Sequence, residues 1–247
     1  MELFDFFNIS ERYIELINPL STDKVVEVGK FLGLSKNSRV IEFGSGYGEI
    51  LIIWAEHFGI SGVGIDIREH VCSRAQKKIS ERGLNERIEI VCADAAKYQF
   101  EKHGFDIAAC IGASFIWDGY KNTIQNMKLA VKPNGKLVIG EPYWQHLPVP
   151  QEYLDKEPSL LTEFELLQIA REEGYTFEYI VRSSRDDWDR YETCNWYGLV
   201  EWLEENPEHP ERQEVIEFLK GAQDDYIKFG REHIGWAVYL LNTVNKK

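Results

Sequence analysis

Val40-Ile41-Glu42-Phe43-Gly44-Ser45-Gly46-Tyr47-Gly48-Glu49 decides the fold. Apolar residues fit for a buried strand flank one acid, run into three alternating glycines, and give way to an amphipathic stretch. That order reads as a strand, a tight turn and the start of a helix. Glycines belong in such a turn when a nucleotide-like ligand lies almost against the backbone, where a Cβ would block it. Asp66 ends the next apolar run, 22 residues after Gly44, a spacing suited to a carboxylate that accepts ribose hydroxyls. Asp94 follows the third run, in Cys92-Ala93-Asp94-Ala95, where it can accept from an adenine exocyclic amine. Taken singly, each acid could instead cap a helix. Three acids at the ends of three successive predicted strands point to an adenosine-containing cofactor.

The spelling of the turn separates two such cofactors. A dinucleotide fingerprint reads G-x-G-x-x-G, its third glycine allowing close helix–strand packing. Here Gly44, Gly46 and Gly48 give G-x-G-x-G, followed by Glu49. Glu42, two residues before the first glycine, would oppose a pyrophosphate held at a helix amino terminus. A methionine moiety carries an ammonium and a sulfonium and welcomes that acid. S-adenosylmethionine is therefore favoured, and a nicotinamide dehydrogenase is disfavoured by Glu42 and Glu49.

Composition bounds the rest. The 247 residues suffice for one α/β domain with an appendage and a substantial core. Hydrophobic residues make up 44% and charged residues 28%, an ordinary globular balance. No apolar run reaches the ~18 residues that would suggest a membrane span. Met1-Glu2-Leu3-Phe4-Asp5 lacks the basic region of a signal peptide, so the cytoplasm is the expected location. The net charge of −13 repels phosphate backbones and makes a nucleic-acid partner unexpected. Cys72, Cys92, Cys110 and Cys194 form no C-x-x-C pair and no histidine pair has metal-ligand spacing. They read as small core residues, with no metal and no disulfide framework.

Residues 1–34 read as a helical lead-in. Ile14, Ile17 and Leu20 share one stripe, and a second pattern over Val25–Leu32 follows the cap Ser21-Thr22-Asp23. Strands are predicted at Arg39–Phe43, Gly62–Ile67, Ile88–Cys92, Phe105–Ile111 and Lys136–Gly140. Helices are predicted at about Glu49–Phe58, Glu69–Arg82 and Tyr120–Val131, with Lys132–Gly135 as a turn. Such alternation means parallel strands joined by right-handed crossovers. A proline-marked loop follows Glu141, then a helix at about Thr162–Glu173 and a strand at about Thr176–Arg182. Residues 185–232 read as a mainly helical insertion before a last strand, Ile234–Thr243. The whole is read as one domain, residues 1–247, with its core at 35–184 and 233–247.

The chain resembles the class I S-adenosylmethionine-dependent methyltransferases. The resemblance rests on Val40–Gly48, Val63-Gly64-Ile65-Asp66, Cys92–Ala95, Phe105-Asp106-Ile107-Ala108-Ala109-Cys110 and Leu129–Leu137. Gly140-Glu141-Pro142-Tyr143-Trp144 and Asp186–Glu192 resemble a bacterial subgroup. The family implies a Rossmann-like α/β sheet of seven strands, order 3-2-1-4-5-7-6, with helices on both faces and strand seven antiparallel. It also implies that Glu42, Gly44, Ser45, Gly46, Asp66 and Asp94 line the cofactor site. Ile67 would pack on adenine, Ala95 would offer it a backbone N–H, and Cys110 would offer a carbonyl to the methionine ammonium.

Methyl transfer needs little acid–base chemistry unless the acceptor must lose a proton. Candidates after the fourth and fifth strands are Trp117, Asp118, Glu141, Tyr143 and His146. Glu141 and His146 are the candidate catalytic groups. Glu141 could instead make a structural bond, and His146 could be an ordinary loop residue. Trp117, Tyr143, Trp144, Trp188 and Tyr191 are candidate walls of an acceptor pocket, with plain packing as the alternative. Asp186 or Asp187 could cap the helix that follows. The expected activity is methyl transfer to a small-molecule acceptor by positioning, with S-adenosylhomocysteine as product. A catalytically silent cofactor-binding or interaction protein on the same fold is the alternative, because fold does not fix activity.

Overall fold

In the computed structural model, which describes residues 1–243, seven strands form one sheet. Residues 244–247, which the sequence reading assigns to the core, lie outside the described residues. The strands are β1 (Arg39–Phe43), β2 (Ser61–Asp66), β3 (Ile88–Cys92), β4 (Phe105–Ile111), β5 (Val131–Trp144), β6 (Tyr175–Arg182) and β7 (Ile234–Thr243). The helices are α1 (Leu3–Ser10), α2 (Thr22–Leu32), α3 (Glu49–Phe58), α4 (Glu69–Glu81), α5 (Tyr120–Met127), α6 (Gln151–Leu154), α7 (Glu163–Glu172), α8 (Arg185–Glu205), α9 (Arg212–Asp225) and α10 (Arg231–His233). Among the described residues, no helix is long and apolar enough to cross a membrane.

The sheet order is β3-β2-β1-β4-β5-β7-β6. Strands β1 to β5 pair in parallel, and β7 is antiparallel to both β5 and β6. Helices cover both faces, so Val40, Ile41 and Phe43 are all buried instead of alternating. One core packs α2, α3 and α4 on the sheet around Trp54, whose indole N–H donates to the Val25 carbonyl at 2.8 Å. The other gathers Phe43, Ile124, Met127 and Tyr239 on the opposite face. The order reverses between β1 and β4, and ligands of open α/β sheets bind beyond the strand ends at such a point.

The structure departs from the sequence reading in the lead-in, in β5 and at the end of α5. The stripe Ile14–Leu20 is not helical; a short 3-10 turn at Glu11–Tyr13 is followed by irregular chain. Pro19 disfavours helix at Asn18, whose side-chain oxygen instead accepts from Leu20 N–H at 3.2 Å. Lys132–Gly135 turns within β5 as a bulge, because Val131 pairs with Phe105 and Lys136 already pairs with Ile107. Beyond Gly140, β5 continues to Trp144 along β7, which places Glu141 on a strand opposite Ala237 and not in a loop. Helix α5 stops at Met127, short of the expected Val131.

Two helical segments cover the carboxyl ends of the strands. Helix α8 starts at a reciprocal cap in which Ser184, not Asp186, is the cap residue and Asp187 closes it. Asp187 also binds Lys24 Nζ at 2.5 Å, tying α8 to α2. Burial alone would raise the Asp187 carboxyl, but the bonds from Lys24 and Ser184 hold it down at about 2. Helix α1 packs on α8 and α9 through Ile9, Leu199, Leu203 and Val215. The fit needs Gly198, since a Cβ there would stand 2.6 Å from the Ser10 carbonyl oxygen. The lead-in and the 185–232 insertion thus pack on each other above the sheet.

Candidate active site

Two chambers adjoin at the strand ends. The first, about 490 Å³, is floored by Gly44 and Gly46 after β1, Asp66 and Ile67 at the end of β2, Asp94 and Ala95 after β3, and Ile111 to Ala113 after β4. Phe4, Phe7, Glu11 and Ile17 of the lead-in and Tyr191, Glu192, Asn195 and Trp196 of α8 roof it. The second, about 560 Å³, holds Ser114, Tyr120, Glu141, Trp188 and Trp236, with Ser159 to Leu161 from the proline-marked loop. Ile17, Gly112, Phe115 and Tyr191 line both chambers.

The first chamber is built around backbone that few side chains allow. Gly44, Gly46 and Gly48 have φ of 71°, 54° and 69°, in the left-handed region. A Cβ on Gly44 would come within 2.5 Å of the Ala113 Cβ, and one on Gly46 within 2.8 Å of Ile17 Cδ1. The glycines therefore admit the chamber's own walls as well as leaving a bare backbone for a ligand.

Asp66 holds this loop. Its Oδ2 accepts from Gly46 N–H at 2.9 Å and its Oδ1 from Arg68 N–H at 3.0 Å. A carboxylate offers roughly four acceptor positions, so both oxygens keep capacity for hydroxyl donors. The Arg68 side chain turns to the roof and donates to Glu11 Oε2 at 2.7 Å, both groups largely buried. Burial pushes the Glu11 carboxyl up, and the Arg68 charge offsets only part of that rise. Ile67 is 56% exposed, an apolar face with nothing upon it but the chamber. Asp94 accepts from Ala96 N–H at 3.0 Å and pairs with Lys97 at 2.7 Å, which holds its carboxyl below the usual range.

Glu42 and Ser45 sit beneath the loop. Glu42 is 2% exposed, and its Oε2 has no hydrogen-bond partner; Ser45 Oγ is likewise unpartnered. Burial, with a smaller contribution from Asp66, pushes the Glu42 carboxyl well up. Buried polar atoms left without partners are uncommon, and those beside a ligand cavity mark where a ligand's groups belong.

The second chamber has the same signature. Glu141 Oε1, Tyr120 Oη and Trp188 Nε1 are all buried without a hydrogen-bond partner. Burial pushes the Glu141 carboxyl up to about 7, against a smaller lowering by the Ser114 hydroxyl. Burial likewise pushes the Tyr120 phenol well up, and the Glu141 charge adds to it. In the roof of the first chamber, burial lifts Glu192 to about 7.

The structure does not bring every expected residue to these chambers. Cys110 is fully buried in the sheet, and Ile111, Gly112 and Ala113 line the cavity in its place. Trp117 packs edge-on against Phe43 in the core at 5.0 Å between ring centroids. Tyr143 is buried under α7 near Glu163 and Arg182. Trp144 is on the other side of β5, against Tyr153 and Phe229. His146 is exposed past the end of β5, its Nδ1 2.6 Å from the Glu232 carbonyl oxygen. None of these five lines either chamber, and Glu42 and Ser45, expected in the cofactor site, line a small separate cavity beside Gly44 and Gly46. Asp118, Glu141, Trp188 and Tyr191 do. Cys92 is exposed and Cys194 half-buried, so only Cys72 and Cys110 are core cysteines. Sequence reasoning missed Glu11, Arg68, Glu192 and Trp196. An arginine two residues after Asp66 was the one available signal.

Known proteins resemble this chain in sequence and fold. A family model described as a methyltransferase domain matches residues 40–135. The chain is 33% identical over 246 residues to YjhP of Escherichia coli (strain K12), covering 98% of this chain and 99% of that protein. The crystal structure of an S-adenosylmethionine-dependent methyltransferase from Thiobacillus denitrificans, in complex with S-adenosyl-L-homocysteine, superposes with a TM-score of 0.91 at 33% identity. It covers 98% of this chain and 100% of its own. A second, from Geobacter sulfurreducens and in complex with the same compound, gives 0.91 at 32% identity, covering 97% and 98%.

Proposed function

The chain belongs to the S-adenosylmethionine-dependent methyltransferases, and from that premise we propose that it moves a methyl group from S-adenosylmethionine to a small molecule held in the second chamber. The observation that carries this reading is the pair of adjoining chambers, one bounded by the glycine loop and the β2 and β3 acids, the other by Glu141. The residues present fit the cofactor. The unpartnered Glu42 Oε2 beneath the loop suits an ammonium, Asp66 suits ribose hydroxyls, and the exposed Ile67 with Asp94 suits an adenine ring and its amine.

When bound, S-adenosylmethionine supplies a methyl group already activated by a sulfonium. The protein's own work is then positioning and exclusion of water. Ile17, Gly112, Phe115 and Tyr191, shared by both chambers, would flank the line of transfer. The lead-in and α8 close the site from above, and Arg68 joins that roof to Asp66 through Glu11. Glu141, lifted to about 7, is poised to take a proton from an acceptor near neutral pH.

The test is formation of S-adenosylhomocysteine from S-adenosylmethionine with pooled small molecules, beside calorimetric titration with the cofactor product. Product formed only in the presence of an acceptor pool supports the reading. Tight cofactor binding with no turnover in any pool would favour the silent alternative.

A further inference from the structure

We propose that the acceptor is a small amine, which enters the second chamber as an ammonium ion and yields its proton to Glu141. The inference rests on the methyl-transfer reading above and adds the class of substrate.

The charge of the chamber carries it. Asp118, Glu141 and Glu157 line the second chamber, and no lysine, arginine or histidine does among the described residues. An acceptor bearing a carboxylate or phosphate would find no counter-charge there. Asp118 and Glu157 are exposed at the surface, whereas Glu141 presents a carboxyl oxygen shielded from solvent and without a partner. Five aromatic side chains complete the lining: Phe115, Tyr120, Trp188, Tyr191 and Trp236. Aromatic faces attract cations, the more so away from water. Trp188 Nε1 can only donate, so its missing partner asks for a neutral oxygen elsewhere on the same molecule.

Proton bookkeeping separates an amine from a hydroxyl acceptor. Moving a proton from a neutral hydroxyl to Glu141 leaves an anion in a chamber with no cation to hold it. Moving one from an ammonium to Glu141 removes two opposite charges from a buried space, which burial favours. The neutral nitrogen then forms the N–C bond with its lone pair while the methyl–sulfur bond breaks, its electron pair remaining on sulfur. The products are the methylated ammonium and S-adenosylhomocysteine; Glu141 carries the first proton until solvent takes it.

The experiment uses the full chain saturated with S-adenosylhomocysteine, so that binding is read without turnover. Two matched series are titrated calorimetrically: butylamine, 1-butanol and butyrate, then benzylamine, benzyl alcohol and benzoate. The expected result is that each amine binds at least ~10-fold tighter than its alcohol, the carboxylates bind weakest, and Glu141→Gln abolishes the amine preference while keeping affinity for S-adenosylhomocysteine. Equal binding of amine and alcohol, preference for a carboxylate, no binding of either amine, or a preference that survives Glu141→Gln each overturns the proposal. The wild-type series decides even where the variant fails to fold. Failure of these arms with S-adenosylhomocysteine still bound removes the amine alone; failure to bind S-adenosylhomocysteine removes the methyl-transfer reading beneath it.

Discussion

Glu141→Gln should make the ligand-free protein more stable at alkaline pH, at the site where the proposed reaction would use the wild-type residue. Burial lifts the Glu141 carboxyl from 4.5 to about 7. Each pH unit of that difference corresponds to ~1.4 kcal/mol between the charged and neutral forms. A carboxyl raised in the folded state contributes stability that is fully present below pH 4.5 and is lost as pH rises through about 7. Ionising Glu141 therefore removes about 3 kcal/mol of folding stability by pH 8.5. Glutamine keeps the shape and cannot ionise. Relative to wild type, it should gain about 3 kcal/mol between pH 5 and pH 8.5, or roughly 6–12 °C in Tm for a chain of this size. Glu192 titrates in the same window and affects both proteins equally, so the difference between them isolates Glu141. The assay is urea unfolding of both proteins at pH 5 and pH 8.5, with no cofactor or amine present. A stability difference that does not change with pH, or one that moves against the variant as pH rises, would refute the burial argument and the base role built on it.

Other outcomes follow from the same geometry. Asp66→Ala should weaken S-adenosylhomocysteine binding by ~10- to 100-fold, since it removes charge-assisted hydrogen bonds of about 1.5–3 kcal/mol each, partly replaced by water; unchanged affinity by calorimetry would refute the ribose assignment. Gly46→Val should abolish turnover, and Ile17→Ala in the same chain should restore part of the cofactor affinity if the contact with Ile17 is the cause; no recovery would place the damage in the left-handed backbone itself. Arg68→Met should destabilise the roof at pH 8 more than at pH 4, because an unpaired buried Glu11 is tolerated only when protonated; thermal unfolding at both values, with an equal loss at each, would count against the pair.

The sheet was legible because its signals are local. Arg39–Phe43, Phe105–Ile111, Ile234–Thr243 and helix Glu49–Phe58 appear with the boundaries that their apolar runs and flanking turns suggest. The floor of the first chamber was legible for the same reason, since Asp66 ends β2 and Asp94 closely follows β3. The roof was not. Periodicity tells which side of α8 is apolar but not that Tyr191, Glu192 and Trp196 meet α1 over the glycine loop. The aromatic candidates show the same limit. Trp144 follows Glu141 by three residues on a strand whose side chains alternate, so it falls on the opposite face and packs under the insertion. Tyr143 shares the Glu141 face but lies far enough along β5 to be covered by α7.

The two unpartnered acids flank the point where the strand order reverses. Glu42 is the last residue but one of β1 and Glu141 lies near the end of β5, on either side of β4, where the strand order reverses. The buried Cys110 thiol on β4 is pushed up by burial first and then by both carboxyls, Glu141 and Glu42, so their fields meet there. Neither acid has a salt-bridge partner among the described residues. Each buried carboxyl, left without a cation, resists ionisation unless positive charge arrives from outside. A cofactor with an ammonium and a sulfonium brings charge to the Glu42 side, and an ammonium acceptor would bring it to the Glu141 side. Binding of either cation should then ease ionisation of the acid it meets, so cofactor and acceptor each offset the burial of one carboxyl. On this account the sheet is kept electrostatically incomplete at its switch point, and the two substrates complete it.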